Sequence, residues 1–111
     1  MLNSFKKIQW TEHAKIKMRQ YGLSKGKIMQ VLRKPDRQEQ GIAPSTLAVM
    51  QTKKLFGNAK MKKAPPGEIW LMYRDIKGER RIISCWWYPG ISKPGEAVPV
   101  PPDIMAELSI L

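Results

Sequence analysis

Intramolecular disulfide chemistry is closed to this chain, because Cys85 is its one cysteine. A lone thiol suits a reducing compartment, and it leaves no Cys/His cluster for zinc. Histidine is equally scarce, with His13 the only one. There is no glycine-rich phosphate loop and no Ser-His-Asp spacing, which sets aside P-loop nucleotide chemistry and triad hydrolysis. No apolar run approaches membrane-spanning length, and Met-Leu-Asn-Ser-Phe-Lys-Lys at the start lacks the hydrophobic stretch of a secretory signal. A cytoplasmic protein with no metal and no cofactor is the expectation. Internal repeats and low-complexity tracts are absent too.

Acidic residues are the other shortage: 9 against 20 Lys and Arg, for a net charge of +11 in 111 residues. The excess is uneven. Residues 1–35 carry nine basic side chains and one acid, residues 53–63 carry five lysines, and residues 89–111 carry one lysine against three acids. Two separated basic blocks point to a phosphate-bearing partner, since each Lys or Arg that neutralises a phosphate releases condensed counterions. Neither block has the apolar face of a membrane-lying helix, so nucleic acid is preferred to lipid. The apolar content of 42% suffices for one modest core. The organisation expected is a single domain over residues 1–88 and a tail over 89–111 that packs on it.

Local signals give an α+β chain. Thr11 caps a helix with Glu12 in its first turn, Ala14, Met18 and Tyr21 recur at helical spacing, and Gly22 ends it. Ser24 caps a second helix whose stripe is Ile28, Val31 and Leu32, stopped by Pro35. This helical hairpin is expected to point its lysines outward. After Pro35 the period becomes extended: an edge strand over 36–41, an apolar strand over 46–52, and two β-rich strands over 68–76 and 79–88 turned by Lys77-Gly78. Residues 53–67, rich in Lys, Gly, Asn and Pro, read as a long mobile loop. Strict alternation puts Arg81, Ile83, Cys85 and Trp87 on one face of the last strand. Both faces of the 68–88 hairpin carry large apolar groups, and the proline-spaced tail, ending in a short helix over 103–108, is a candidate cover for one of them.

A helical hairpin packed on a four-stranded antiparallel sheet is the layout of the RelE-like bacterial ribonuclease toxins. The pattern Trp10, His13-Ala14, Met18, Gly22-Leu23-Ser24, Val31-Leu32 and Pro35-Asp36 resembles the start of BrnT toxins and of small uncharacterised domains in the same superfamily. The segment Arg81-Ile82-Ile83-Ser84-Cys85 is similar to the Arg-Ile-Ile-Ser-Ala strand of BrnT. Together these cover about residues 10–88. The chain departs from the BrnT pattern at Trp86, where an arginine is common, and in its enlarged lysine-rich loop. The first departure weakens the case for cleavage; the second strengthens binding. What the resemblance implies is a RelE/BrnT-like, RNA-directed scaffold of toxin type, with catalysis a separate question and an antitoxin or another subunit as the protein partner to look for.

Metal-independent RNA cleavage needs a base for the 2′-hydroxyl, cations for the phosphate and an acid for the leaving oxygen. His13 titrates in the right range; Arg74 and Arg81 could stabilise the phosphate; Tyr88, like Tyr73, could donate a proton or stack on a base. The backbone would be held by Lys15, Lys17, Arg19, Arg80 and the loop lysines Lys53, Lys54, Lys60, Lys62 and Lys63. Each has an ordinary structural alternative: a helix contact for His13, ion pairs at the hairpin for the arginines, core burial for Trp70, Trp86 and Trp87. Cys85, inside an apolar strand, reads as an inert core thiol. The expected function is RNA binding, with endoribonuclease activity as its extension. The alternative is a non-catalytic interaction protein that docks an antitoxin or another subunit through its sheet face and acidic tail. DNA binding by a helix-turn-helix is less favoured, because the second helix has few base-reading side chains.

Overall fold

Thr11 and Ser24 begin two helices by the same device. In each the backbone is extended and the hydroxyl accepts an N–H three residues on, Ala14 at 3.0 Å and Lys27 at 3.1 Å. That satisfies one orphan donor of each first turn. Between the helices Gly22 takes φ 68°, its N–H bonding to Arg19 O while the Leu23 N–H returns to Met18 O, the double closure of a Schellman turn. Leu23 is thereby folded into the core beside Met18.

The computed structural model describes residues 7–54 and 66–108. The elements are β1 (Lys7–Trp10), α1 (Glu12–Tyr21), α2 (Lys25–Arg33), β2 (Arg37–Gln40), β3 (Leu47–Lys54), β4 (Pro66–Ile76), β5 (Glu79–Tyr88) and α3 (Pro102–Leu108). Among the described residues, no helix is long and apolar enough to cross a membrane.

The α+β class stands, and the sheet differs from the expected four antiparallel strands. It has five, in the order β1-β5-β4-β3-β2, and β1 runs parallel to β5 with Lys7 opposite Glu79 and Trp10 opposite Ile82. The sheet is therefore mixed. A four-residue strand of alternating Lys7, Ile8, Gln9 and Trp10 looks like a lead-in to the helix until its distant partner is known. Thr11 locks the junction, donating from Oγ1 to Ile82 O at 2.9 Å while it caps α1.

The hairpin of β4 and β5 turns through Lys77 (φ 48°) and Gly78 (φ 84°), both left-handed as a type I′ turn requires. Strands claim more of the expected 53–67 loop than its composition indicates: Lys54 pairs with Pro66 and Lys53 with Gly67. Gly67 must be glycine there, because a Cβ would enter the Trp87 ring. Strict alternation also fails in β5. Met72 pairs with Ser84 and Tyr73 with Ile82, so Ile83 is an extra residue and the pleat slips. Ile82, Cys85 and Trp87 consequently join one apolar cluster, and Ile83 and Trp86 the other.

In the first cluster Ala14, Met18, Ile28 and Val31 of the helices pack on Val49, Leu71 and Cys85. In the second, Met50, Trp70, Met72 and Trp86 are covered by Val98, Ile104 and Leu108 of the segment after β5. Burying each such side chain contributes roughly 1.5–3 kcal/mol. That segment is pinned at both ends. At its start the fully buried Glu68 carboxylate accepts from Trp70 Nε1 (2.9 Å), Ser92 N (2.9 Å) and Ser92 Oγ (2.7 Å), and Ser92 Oγ accepts from Arg37 Nη1 at 2.7 Å. Further on, Trp86 Nε1 donates to Pro99 O at 2.9 Å.

Candidate nucleic-acid interface

Lys15 and Arg19 are one helical turn apart on α1, so their side chains share a face. The Gly22 turn brings the start of α2 beside them. Lys15, Met18, Arg19, Leu23, Ser24 and Lys25 line an open groove of about 610 Å³ at this corner. Its polar rim is cationic. Lys15 is offset in part by Glu12 at 3.2 Å, an exposed pair worth a few tenths of a kcal/mol. Lys25 lies 5.5 Å from the centre of the Trp10 ring, a cation-π contact that holds the ammonium at the groove. The first turn of α2 contains no acid, so the positive end of its dipole is not neutralised from within. The corner therefore presents three cations and a helix N-terminus, an arrangement suited to phosphate oxygens.

Lys17 was expected to point outward with its neighbours, and it does not. It is 3% exposed, with Nζ donating to Asp103 Oδ2 at 2.7 Å and Gln20 Oε1 at 3.0 Å and lying 3.0 Å from Glu107 Oε1. The charge docks α3 on α1 rather than meeting a phosphate. Burial works against the ammonium, but the hydrogen bonds and charges of Asp103 and Glu107 outweigh it and lift Lys17 above its ordinary value. Reciprocally, Lys17 holds the Asp103 carboxyl below the usual carboxylate value of 3.8.

The sign of the acid response follows. Asp103 binds its proton less readily folded than unfolded, so its stabilising share is complete above 3.8 and is lost as pH falls through the lower folded value. We expect the methyl NMR signals of Ile104 and Leu108 to stay at their native positions at pH 5 and to collapse towards unfolded shifts well below pH 4. Signals unchanged down to pH 2 would show that the ion pair does not hold α3.

His13 is held by what surrounds it. Its Nε2 lies 3.2 Å from Ser84 Oγ and 3.6 Å from Glu107 Oε1. Burial pulls its pKa below 6.5, with Glu107 opposing, so the ring favours the neutral form near neutrality. Arg81 faces Arg74 across the strands; Arg81 approaches Glu79 at 3.6 Å and Arg74 donates to Pro44 O at 2.8 Å. Tyr88 is four residues beyond Ser84, roughly 13 Å along β5, and Arg81 three residues before it, roughly 10 Å. His13 on α1, Arg74 on β4, and Arg81 and Tyr88 on β5 thus come from three elements, with no hydrogen bond or ion pair joining them to one another among the described residues.

Arg80 has the ordinary role. Its Nε and Nη2 grip Asp75 at 2.8 and 2.9 Å, and the guanidinium lies 4.4 Å from the centre of the Tyr73 ring. Tyr73 is thereby occupied and pushed up by burial. Cys85 is buried and its thiol is pushed up to about 12, which leaves it unreactive near neutrality. Trp70 and Trp86 are core, stacked at 6.2 Å and 8°. Among the described residues, no group of three or more His, Cys, Asp or Glu could hold a metal ion. Lys60, Lys62 and Lys63 lie outside the described residues, as do the side chains of Lys53 and Lys54.

No family model, no curated protein and no solved structure matches the chain. The groove must therefore be judged on its own chemistry. Of the residues expected to bind phosphate, Lys15 and Arg19 meet there. Lys25 was missing from that set, although Ser24 marks it as the first residue of an acid-free helical turn.

Proposed function

We propose that this protein binds RNA by its phosphate backbone, with the corner between α1 and α2 as the primary contact. The observation that carries the reading is the convergence of Lys15, Arg19 and Lys25 on one open groove at the N-terminus of α2. The lysine block of residues 53–63 extends the same interface in this reading. Membership of the RelE/BrnT-like superfamily and a toxin-type role belong to the proposal as well, on the resemblance of residues 10–88, and so does a cytoplasmic location, on the single cysteine. Metal-independent endoribonuclease activity is the extension of this reading, with His13, Arg74, Arg81 and Tyr88 as its candidate side chains. The competing reading, protein docking through the sheet face and the acidic tail, has less to work with. Val98, Ile104 and Leu108 cover that face, and Asp103 and Glu107 are engaged by Lys17.

The test is an anisotropy titration of a short single-stranded RNA at several salt concentrations. Three lost phosphate contacts should flatten the log-log salt dependence by about 2 and weaken binding about 50-fold at 0.15 M salt. That is the outcome expected for a Lys15→Ala, Arg19→Ala, Lys25→Ala triple variant. Equal affinity and equal slope for the triple variant and the parent would remove the groove from the interface.

A further inference from the structure

A second hollow opens at the other side of the α1 terminus, and its lining is of a different kind. Tyr21, Trp87, Tyr88, Pro99, Pro101 and Pro102 enclose about 420 Å³. The space suits a small planar group, and none of those residues carries a formal charge. Aromatic and proline rings give flat apolar walls with few rotamers to lose, and Trp87 is kept in place by its seat on the Gly67 backbone. Proline at 99 and 101 restricts the opposite wall up to Pro102, where α3 begins.

The position of the hollow decides what fits it. Tyr21, the last residue of α1, lines this hollow and Gly22, the next residue, lines the basic groove, so the two open on different sides of the same helix end. A ligand several nucleotides long can round that end and engage both. It needs anionic groups for Lys15, Arg19 and Lys25 and a flat apolar group beside them. An apolar peptide would fill the hollow and gain nothing from the cations. A paired nucleic acid would satisfy the cations and keep its bases stacked out of reach.

We propose that the hollow receives one unstacked base of a single-stranded RNA whose backbone lies in the basic groove, which makes the protein selective for unpaired RNA. This rests on the RNA-binding reading above. Stacking on an aromatic side chain tolerates any base, so the selectivity is for strandedness and not for sequence.

The experiment compares a 12-nucleotide oligouridylate with an RNA duplex of equal length. The expected result is roughly tenfold tighter binding of the single strand, and a ratio near one for Tyr88→Ala, as loss of one base stack implies. In the unsubstituted protein the Trp87 indole N–H resonance, assigned through Trp87→Phe, should shift on adding the single strand. This second readout does not depend on how well Tyr88→Ala folds. Equal affinity for both RNAs together with an unmoved Trp87 signal overturns the base site and leaves the backbone reading standing. Failure to bind either RNA overturns both.

Discussion

Replacing Glu68 by alanine is expected to lower the unfolding free energy by about 3–5 kcal/mol, the range for removing one member of a buried charged network. Glu68 has no exposed surface, and its carboxylate accepts from three donors: the Trp70 indole and the Ser92 amide and hydroxyl. Each stranded donor costs about 1–3 kcal/mol, and the Arg37 guanidinium loses the negative charge that Ser92 relays to it. Arg37 itself stays placed by Glu39 at 2.7 Å and by the Trp70 ring at 5.3 Å. Glu68→Gln keeps one oxygen and sets an amide group against a donor, so its cost should be intermediate, about 2 kcal/mol. Urea midpoints at constant m-value measure both. A loss below about 1 kcal/mol for Glu68→Ala would mean that the segment after β5 is anchored elsewhere.

Trp86→Ala should cost about as much, roughly 3–5 kcal/mol, by opening a cavity in the second cluster. The ring is fully buried, stacks on Trp70 at 6.2 Å and donates to Pro99 O at 2.9 Å. Trp86→Phe retains most of the stacking and loses the donor, for about 1 kcal/mol. The same urea series separates the two, and equal midpoints for the alanine and parent proteins would contradict the packing. Because Trp70 touches both sites, the Glu68→Ala, Trp86→Ala pair should cost less than the sum of its parts.

These two residues also mark where sequence reading stops. Helix limits were legible, since Thr11, Gly22, Ser24 and Pro35 act through local chemistry. The Lys77-Gly78 turn was legible for the same reason, because two left-handed residues specify a tight hairpin. What depended on distant partners was not. β1 becomes a strand only because β5 offers it an edge, and Ile83 slips out of register only against Met72 and Tyr73. Glu68 reads only as the start of a strand until Ser92 returns to it. Lys17 reads as one of several surface lysines until Asp103 and Glu107 arrive from α3. At the candidate interface the same divide holds. Lys15 and Arg19 follow from helical spacing, whereas the aromatic hollow is assembled by prolines about 80 residues from Tyr21.

The parallel pairing of β1 with β5 has a consequence for how the chain is made. Lys7 waits for Glu79, and Trp10 for Ile82, so β1 leaves the ribosome long before its neighbour in the sheet has been made. At 5–20 residues per second the interval is roughly 4 to 15 seconds. Throughout it Ile8 and Trp10 lack their strand partner, and this edge of the sheet cannot close until synthesis has passed the hairpin. The chain is thus most exposed to mispairing while it is still being translated.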